Sequence, residues 1–201
     1  MPRAPGQIDR VKNEAILQAA GDVLAERGLS APMSMIARRA KVSKQTIYNH
    51  YGAKTDLIRA LASRRVTTLT APLEPAVDGG AEDKLALYAR ALLGMVTAPA
   101  TFALMRLTVQ SANELPELAR EVYEVGPKTS RERLAAFLAS ENAAGRLNIP
   151  NALEAAEIFI GMVSGQRQTR ALLGLPAEEV GEQLDRLSRE IAHRFVRAYR
   201  G

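Results

Sequence analysis

The chain has 201 residues, 47% hydrophobic and 24% charged, with no cysteine and two histidines, His50 and His193. That length supports a sizeable core without disulfides or metal. The missing cysteine excludes disulfides, thiolate metal sites and cysteine nucleophiles, and suits a reducing compartment. The formal net charge of +5 hides an asymmetry: residues 1–65 hold 12 Lys and Arg against 5 Asp and Glu, whereas residues 66–201 hold 15 against 17. A basic end on a mildly acidic body is the outline of a polyanion binder with a separate second function, although basic surface also serves solubility alone. With no His or Cys cluster, no metal site is expected. Lacking an apolar run of signal-peptide or membrane-spanning length, the chain is expected to be cytoplasmic, with no membrane partner.

Every long segment carries helical spacing and none alternates between hairpin turns, so the expected fold class is all-α. In the first helix Ile8, Val11, Ala15, Ile16, Ala19, Ala20, Val23 and Leu24 share one face, opposite Arg10, Lys12, Asn13, Gln18 and Asp22, and Gly28 is the stop signal. Two short helices follow, Met33 to Ala40 behind Pro32 and Ser43 to about Tyr51, linked only by Lys41 and Val42. Ser43 is the expected N-cap, with Val42 and Ile47 at the two positions of a hydrophobic staple. Two short helices on a tight turn predict a helix-turn-helix. A longer helix runs from Lys54 through Leu57, Ile58, Leu61, Val66 and Leu69 until Pro72 and Pro75, and PAVDGGAED reads as a loop. Further helices are expected from Ala81 to Val96, Pro99 to Asn113 and Pro116 to Asn142. The last is broken at Gly126-Pro127, because proline lacks a backbone donor and clashes with the preceding turn. Final helices span about Ala152 to Leu173 and Ala177 to Tyr199.

On the short helix after Ser43, a turn of about 100° per residue puts Ile47 and Tyr51 inward with Val42, and Lys44, Gln45, Tyr48 and Asn49 outward. Lysine reaches guanine O6 and N7, and glutamine pairs bidentately with adenine, so this face carries what a reader of the major groove needs. Ser43, Thr46, Tyr48 and His50 offer short donors suited to phosphates, and Lys54 adds a cation just beyond them. A surface helix with ordinary polar residues would show the same spacing.

The stretches ILQAAGDVLAERG and IARRAKVSKQTIYNHYGAKTDLIRAL resemble the TetR/AcrR family of bacterial transcriptional regulators. The likeness covers nearly all of the first 65 residues, through the pattern IAxxAxVSxxTxYxHY followed by a Lys and Leu57. NELPELAREVYEVGP, AAGRL, and AAEIFIGMVSG before RALLG are similar to the AefR-like C-terminal class of that family. The resemblance implies a dimeric repressor with a helix-turn-helix DNA-binding domain over residues 1–53 and a helical effector-binding and dimerisation domain over residues 54–201. Its implied partners are double-stranded operator DNA and a small-molecule effector, with no cofactor. Three positions depart from the family pattern. Lys41 stands where the turn usually has Gly, Pro32 replaces a polar N-cap and leaves Ser30 to supply it, and Ala53 replaces a polar cap before Lys54.

Gly161 and Gly165, four apart among Ile158, Phe159, Ile160, Met162 and Val163, would let another helix approach closely. With the stripe Val180, Leu184, Leu187, Ile191, Phe195 and Tyr199 they suggest a homodimer through Ala152 to Leu173 and Ala177 to Tyr199. Packing within one subunit would use the same residues. For the effector, Met95, Phe102, Met105, Val109, Tyr123, Phe137 and Met162 are candidate cavity residues, and Arg106, Gln110 and Asn113 form a polar stripe on one helix. That stripe would equally face solvent. Glu114, Glu117, Glu121 and Glu124 read as a solvated acidic face. PKTS at 127–130 lacks a Gly-rich loop, and no Ser/His/Asp order stands out, so neither nucleotide binding nor catalysis is expected. Two functions remain open: a regulator released from a palindromic operator by a small, largely apolar effector, and a constitutive dimeric DNA-binding protein without one.

Overall fold

The computed structural model describes residues 5–97, 99–178 and 180–200; the side chain of Ile8, expected on the inward face of the first helix, lies outside the described part. All regular structure among the described residues is helical, as expected. The elements are α1 (Pro5–Arg27), α2 (Met33–Arg39), α3 (Lys44–His50), α4 (Lys54–Thr70) with a 3₁₀ turn at Ala71–Leu73, α5 (Ala81–Thr97), α6 (Pro99–Ser111) and α7 (Pro116–Tyr123). A π-helical turn (Glu124–Lys128) leads into α8 (Thr129–Ala143), α9 (Ala152–Leu172) and α10 (Glu182–Ala198). No single helix among the described residues is long and apolar enough to cross a membrane.

The chain forms two compact units, Met1–Arg64 with Ala103–Val122, and Arg65–Phe102 with Tyr123–Gly201. In the first, α2 and α3 have seven residues each. Helices so short hold their form by burying a face rather than by their own propensity. Ile36 and Ile47 are that face, packed with Ile16, Ala20 and Leu24 of α1 and Leu57, Ile58 and Leu61 of α4. Leu104 of α6 and Leu118 and Val122 of α7 join the same core. The cap of α2 differs from expectation. Pro32 stands at its N-cap with no side-chain bond, and the Ser30 hydroxyl donates instead to the Arg27 carbonyl at the end of α1. Ala53, by contrast, keeps half of a capping box, since its N–H donates to Asp56 Oδ2 at 3.0 Å.

The second unit is built around Tyr88 of α5, Phe159 of α9 and Phe195 of α10, all fully buried. Phe159 meets Phe195 edge-on at 4.9 Å between centroids, aligning ring edge with ring face, and lies tilted against Tyr88 at 6.1 Å. The Tyr88 hydroxyl shares a hydrogen bond of 2.9 Å with Ser130, and burial pushes its pKa up to about 12. Arg146 donates twice to Glu141, at 2.6 and 2.8 Å, and holds that carboxyl below its usual range.

At Gly126-Pro127 the chain does not break. The π turn contains Pro127, and the Thr129 hydroxyl donates to the Glu124 carbonyl at 2.7 Å, so widening the helix accommodates the missing proline donor. Gly165 also shapes its own helix. At φ 42° and ψ −137° it interrupts α9, a conformation that glycine reaches easily, and among the described residues neither Gly161 nor Gly165 has a neighbouring helix pressed against it. The last helix is also shorter than its pattern suggests, because Gly181, at φ 52°, is its N-cap.

Candidate nucleic-acid interface

The elbow between α2 and α3 is closed by two reverse hydrogen bonds, Val42 N–H to the Ala37 carbonyl at 3.0 Å and Lys41 N–H to the Arg38 carbonyl at 3.2 Å. This is the bond pair of a Schellman motif, and it puts Lys41 in the left-handed region at φ 55°. Ser43 then caps α3, accepting from Thr46 N–H at 3.0 Å, while the two hydroxyls are 2.8 Å apart. Val42 is half-buried and Ile47 fully buried, as the staple requires. Tyr51, the C-cap, is buried and its hydroxyl donates to Asn13 of α1. Asn13, on the polar face by its helical position, is therefore half-buried and anchors the end of α3. Burial, helped by the nearby Glu14 carboxylate, raises the Tyr51 pKa.

With Ile47 and Tyr51 as anchors, Lys44, Gln45, Tyr48 and Asn49 are all exposed. Gln45 Nε2 donates to Asn49 Oδ1 at 2.7 Å, and Lys44 Nζ lies 5.7 Å from the centre of the Tyr48 ring. One amide N–H and the carbonyl of Gln45 remain for a base edge. His50 is half-buried beside the Tyr51 ring. Lys54 donates to the Leu29 carbonyl at 2.8 Å, so a phosphate contact from it starts from a side chain already tethered to the α1–α2 loop.

Three arginines of this unit are committed to carboxylates. Arg39 forks onto Glu26 at 3.0 and 2.8 Å, Arg59 bridges Asp56 at 2.7 Å and Glu121 at 2.9 Å, and Arg64 pairs with Glu14 at 2.8 Å. Glu121 is thus an ion-pair partner of α4 and not part of a purely solvated face; Glu124 likewise pairs with Lys128 at 2.5 Å. The side chains of Arg38 and Lys41 make no hydrogen bond or ion pair among the described residues, and Lys44 touches only the Tyr48 ring there. Position in the sequence alone does not distinguish these cations from the paired ones.

The residues nominated for an effector fall in both units. In the first, Met105 and Arg106 are half-buried and Val109, Gln110 and Asn113 are exposed, Asn113 lying just past the end of α6. In the second, Phe102 is buried, Met95 is half-buried against the core, and Tyr123 and Met162 are exposed.

An exposed hydrogen-bonding helix, seated by a tight elbow in a basic unit and carried by a chain with a second helical unit, defines a helix-turn-helix transcriptional regulator. Residues 16–61 match the bacterial regulatory proteins of the tetR family, and residues 83–201 match the AefR-like transcriptional repressor C-terminal domain. The chain belongs to the TetR family, in its AefR-like branch, a family of transcriptional regulators and not of enzymes. An HTH-type transcriptional repressor of Mycobacterium tuberculosis is 44% identical over 57 residues, 28% of this chain and 30% of that protein, so the match spans under a third of that relative. A TetR-family regulator from Mesorhizobium loti superimposes with a TM-score of 0.74 at 24% identity, over 94% of this chain and 97% of its own. A flavonoid-responsive regulator does so with a TM-score of 0.67 at 29% identity, over 94% and 97%.

Proposed function

We propose that the chain is a repressor that binds a palindromic operator as a homodimer and is released by a small, largely apolar effector. The observation that carries the DNA end is α3 itself, where Lys44, Gln45, Tyr48 and Asn49 are exposed on a helix fixed from beneath by Ile47 and Tyr51. Lys44 and Gln45 read bases, while Ser43, Thr46, Tyr48, His50 and Lys54 face phosphates. Residues 1–53 act as the DNA-binding domain, and residues 54–201 bind effector and dimerise.

The dimer contact runs through Ala152 to Leu173 and Ala177 to Tyr199. Its support is apolar surface left open in one chain: Ile158 is 46% exposed, Leu173 71% and Val180 66%, and such exposure in one region is a mark of association. A two-fold dimer would hold its two recognition helices ~34–36 Å apart, one turn of DNA.

For the effector, the nominated residues of the second unit, Met95, Phe102, Tyr123 and Met162, supply apolar contact. The flavonoid-responsive relative supports an effector of that class. The chain passes from the first unit to the second within α4, which makes this helix the lever between effector and α3. An effector acts only through unequal affinity for two conformations, and the coupling is reciprocal. Calorimetric titration of a flavonoid aglycone, with and without operator duplex, is therefore expected to show ligand affinity lowered ~5–150-fold by the DNA. Equal affinities would exclude that ligand as the inducer.

A further inference from the structure

Lys41 is the single non-glycine residue with positive φ among the described residues, at 55°. Six glycines hold the other such positions. A Cβ in this conformation crowds the adjoining carbonyl, which glycine avoids. A strained residue persists where its surroundings or its function compensate. Within the chain the Schellman hydrogen bonds hold this conformation, but they would hold glycine in it equally well, and the Lys41 side chain itself is exposed and makes no hydrogen bond or ion pair among the described residues. Nor does α2 lack positive charge at its C-terminal end, since Arg38 and Arg39 already occupy its last turn.

The place of Lys41 is informative. It comes two residues before Ser43, the N-cap of the base-reading helix, and midway between Arg38 and Lys44. These three are the basic side chains of the elbow left uncommitted, whereas Arg39, Lys54, Arg59 and Arg64 are each held by a partner. The single acid between Ala31 and Arg65, Asp56, is engaged by Arg59 and by Ala53 N–H.

We infer that Lys41, with Arg38 beside it, is a phosphate anchor outside α3: it grips the DNA backbone next to the entering end of the recognition helix and fixes how that helix sits in the groove. The strained backbone at Lys41 is retained for this contact. The inference rests on the reading of α3 as the base-reading helix.

The test compares the full-length protein with Lys41→Gly and Lys41→Arg on a duplex enriched by the wild type from a random double-stranded pool. Affinity is measured across a salt series, together with the melting temperature. Each phosphate contact contributes about 0.9 to the slope of log affinity against log salt. Lys41→Gly is expected to flatten the slope by ~0.9 per bound chain, which is ~8-fold in affinity for a tenfold change in salt. Base preference should be unchanged, and relief of strain should raise the melting temperature by ~2–4 °C, showing that the weaker binding is not misfolding. Lys41→Arg, which keeps the charge, is expected to keep the slope. An unchanged slope in Lys41→Gly would overturn the inference, as would an equal loss in Lys41→Arg. Failure of the wild type to enrich any duplex would instead overturn the reading of α3, and the Lys41 inference with it.

Discussion

The variant Lys44→Ala/Gln45→Ala is expected to retain its fold and lose its ability to tell an operator from other DNA. A bidentate contact to a base edge discriminates by ~1–3 kcal/mol, roughly 5- to 150-fold for each side chain. Both side chains are exposed, and neither supports the core beneath α3, which is Ile47 and Tyr51. Truncating Gln45 leaves Asn49 without its 2.7 Å partner, but Asn49 is itself exposed and water can replace the bond. The change in stability should therefore stay within ~0.5 kcal/mol, as for ordinary surface substitutions. Anisotropy titrations of specific and random duplexes at one salt concentration separate the effects. The specific complex should weaken to the level of the random one, and the salt-dependent random binding should persist, because it depends on phosphate contacts.

Phe159→Ala is expected to bring the larger loss of stability, ~3–5 kcal/mol. Total stability of a domain is only ~5–15 kcal/mol, so this variant should melt well below the wild type or fail to accumulate. The magnitude follows from position. Phe159 is fully buried and touches the Tyr88 and Phe195 rings from two other helices, at 6.1 and 4.9 Å between centroids. Its removal opens a cavity where α5, α9 and α10 meet, and three packed helices cannot all collapse into it. Thermal unfolding followed by circular dichroism measures the effect, and Phe159→Leu should recover much of it by refilling the volume.

Much of the DNA end is legible in the sequence because its determinants are local. The Ser43 cap, the Val42/Ile47 staple and the outward run on α3 lie within a few residues of one another, so spacing alone places them. The left-handed place of Lys41 is legible only through the family pattern, which usually has Gly there. Contacts between distant segments are not readable this way. Tyr51 finds Asn13 across 38 positions, and Arg59 finds Glu121 on α7, pairings that no helical period announces. Pro127 and Gly165 show a different limit. Each flags an irregularity, but whether the chain breaks, widens into a π turn or kinks depends on packing around it. The effector residues are the least legible, because a pocket is defined by side chains from several helices and an amphipathic pattern alone does not tell a lining position from an exposed one.

The central claim is that two copies of α3, held by a dimer, read DNA sequence. Selection of bound duplexes from a random double-stranded pool by the purified full chain tests it directly. The expected result is enrichment of one palindrome whose half-site centres are about 10–10.5 base pairs apart or a multiple of that, bound by an even number of chains and not enriched by Lys44→Ala/Gln45→Ala. A pool that stays random at every salt concentration, or an enriched site that the double variant selects equally well, would contradict it.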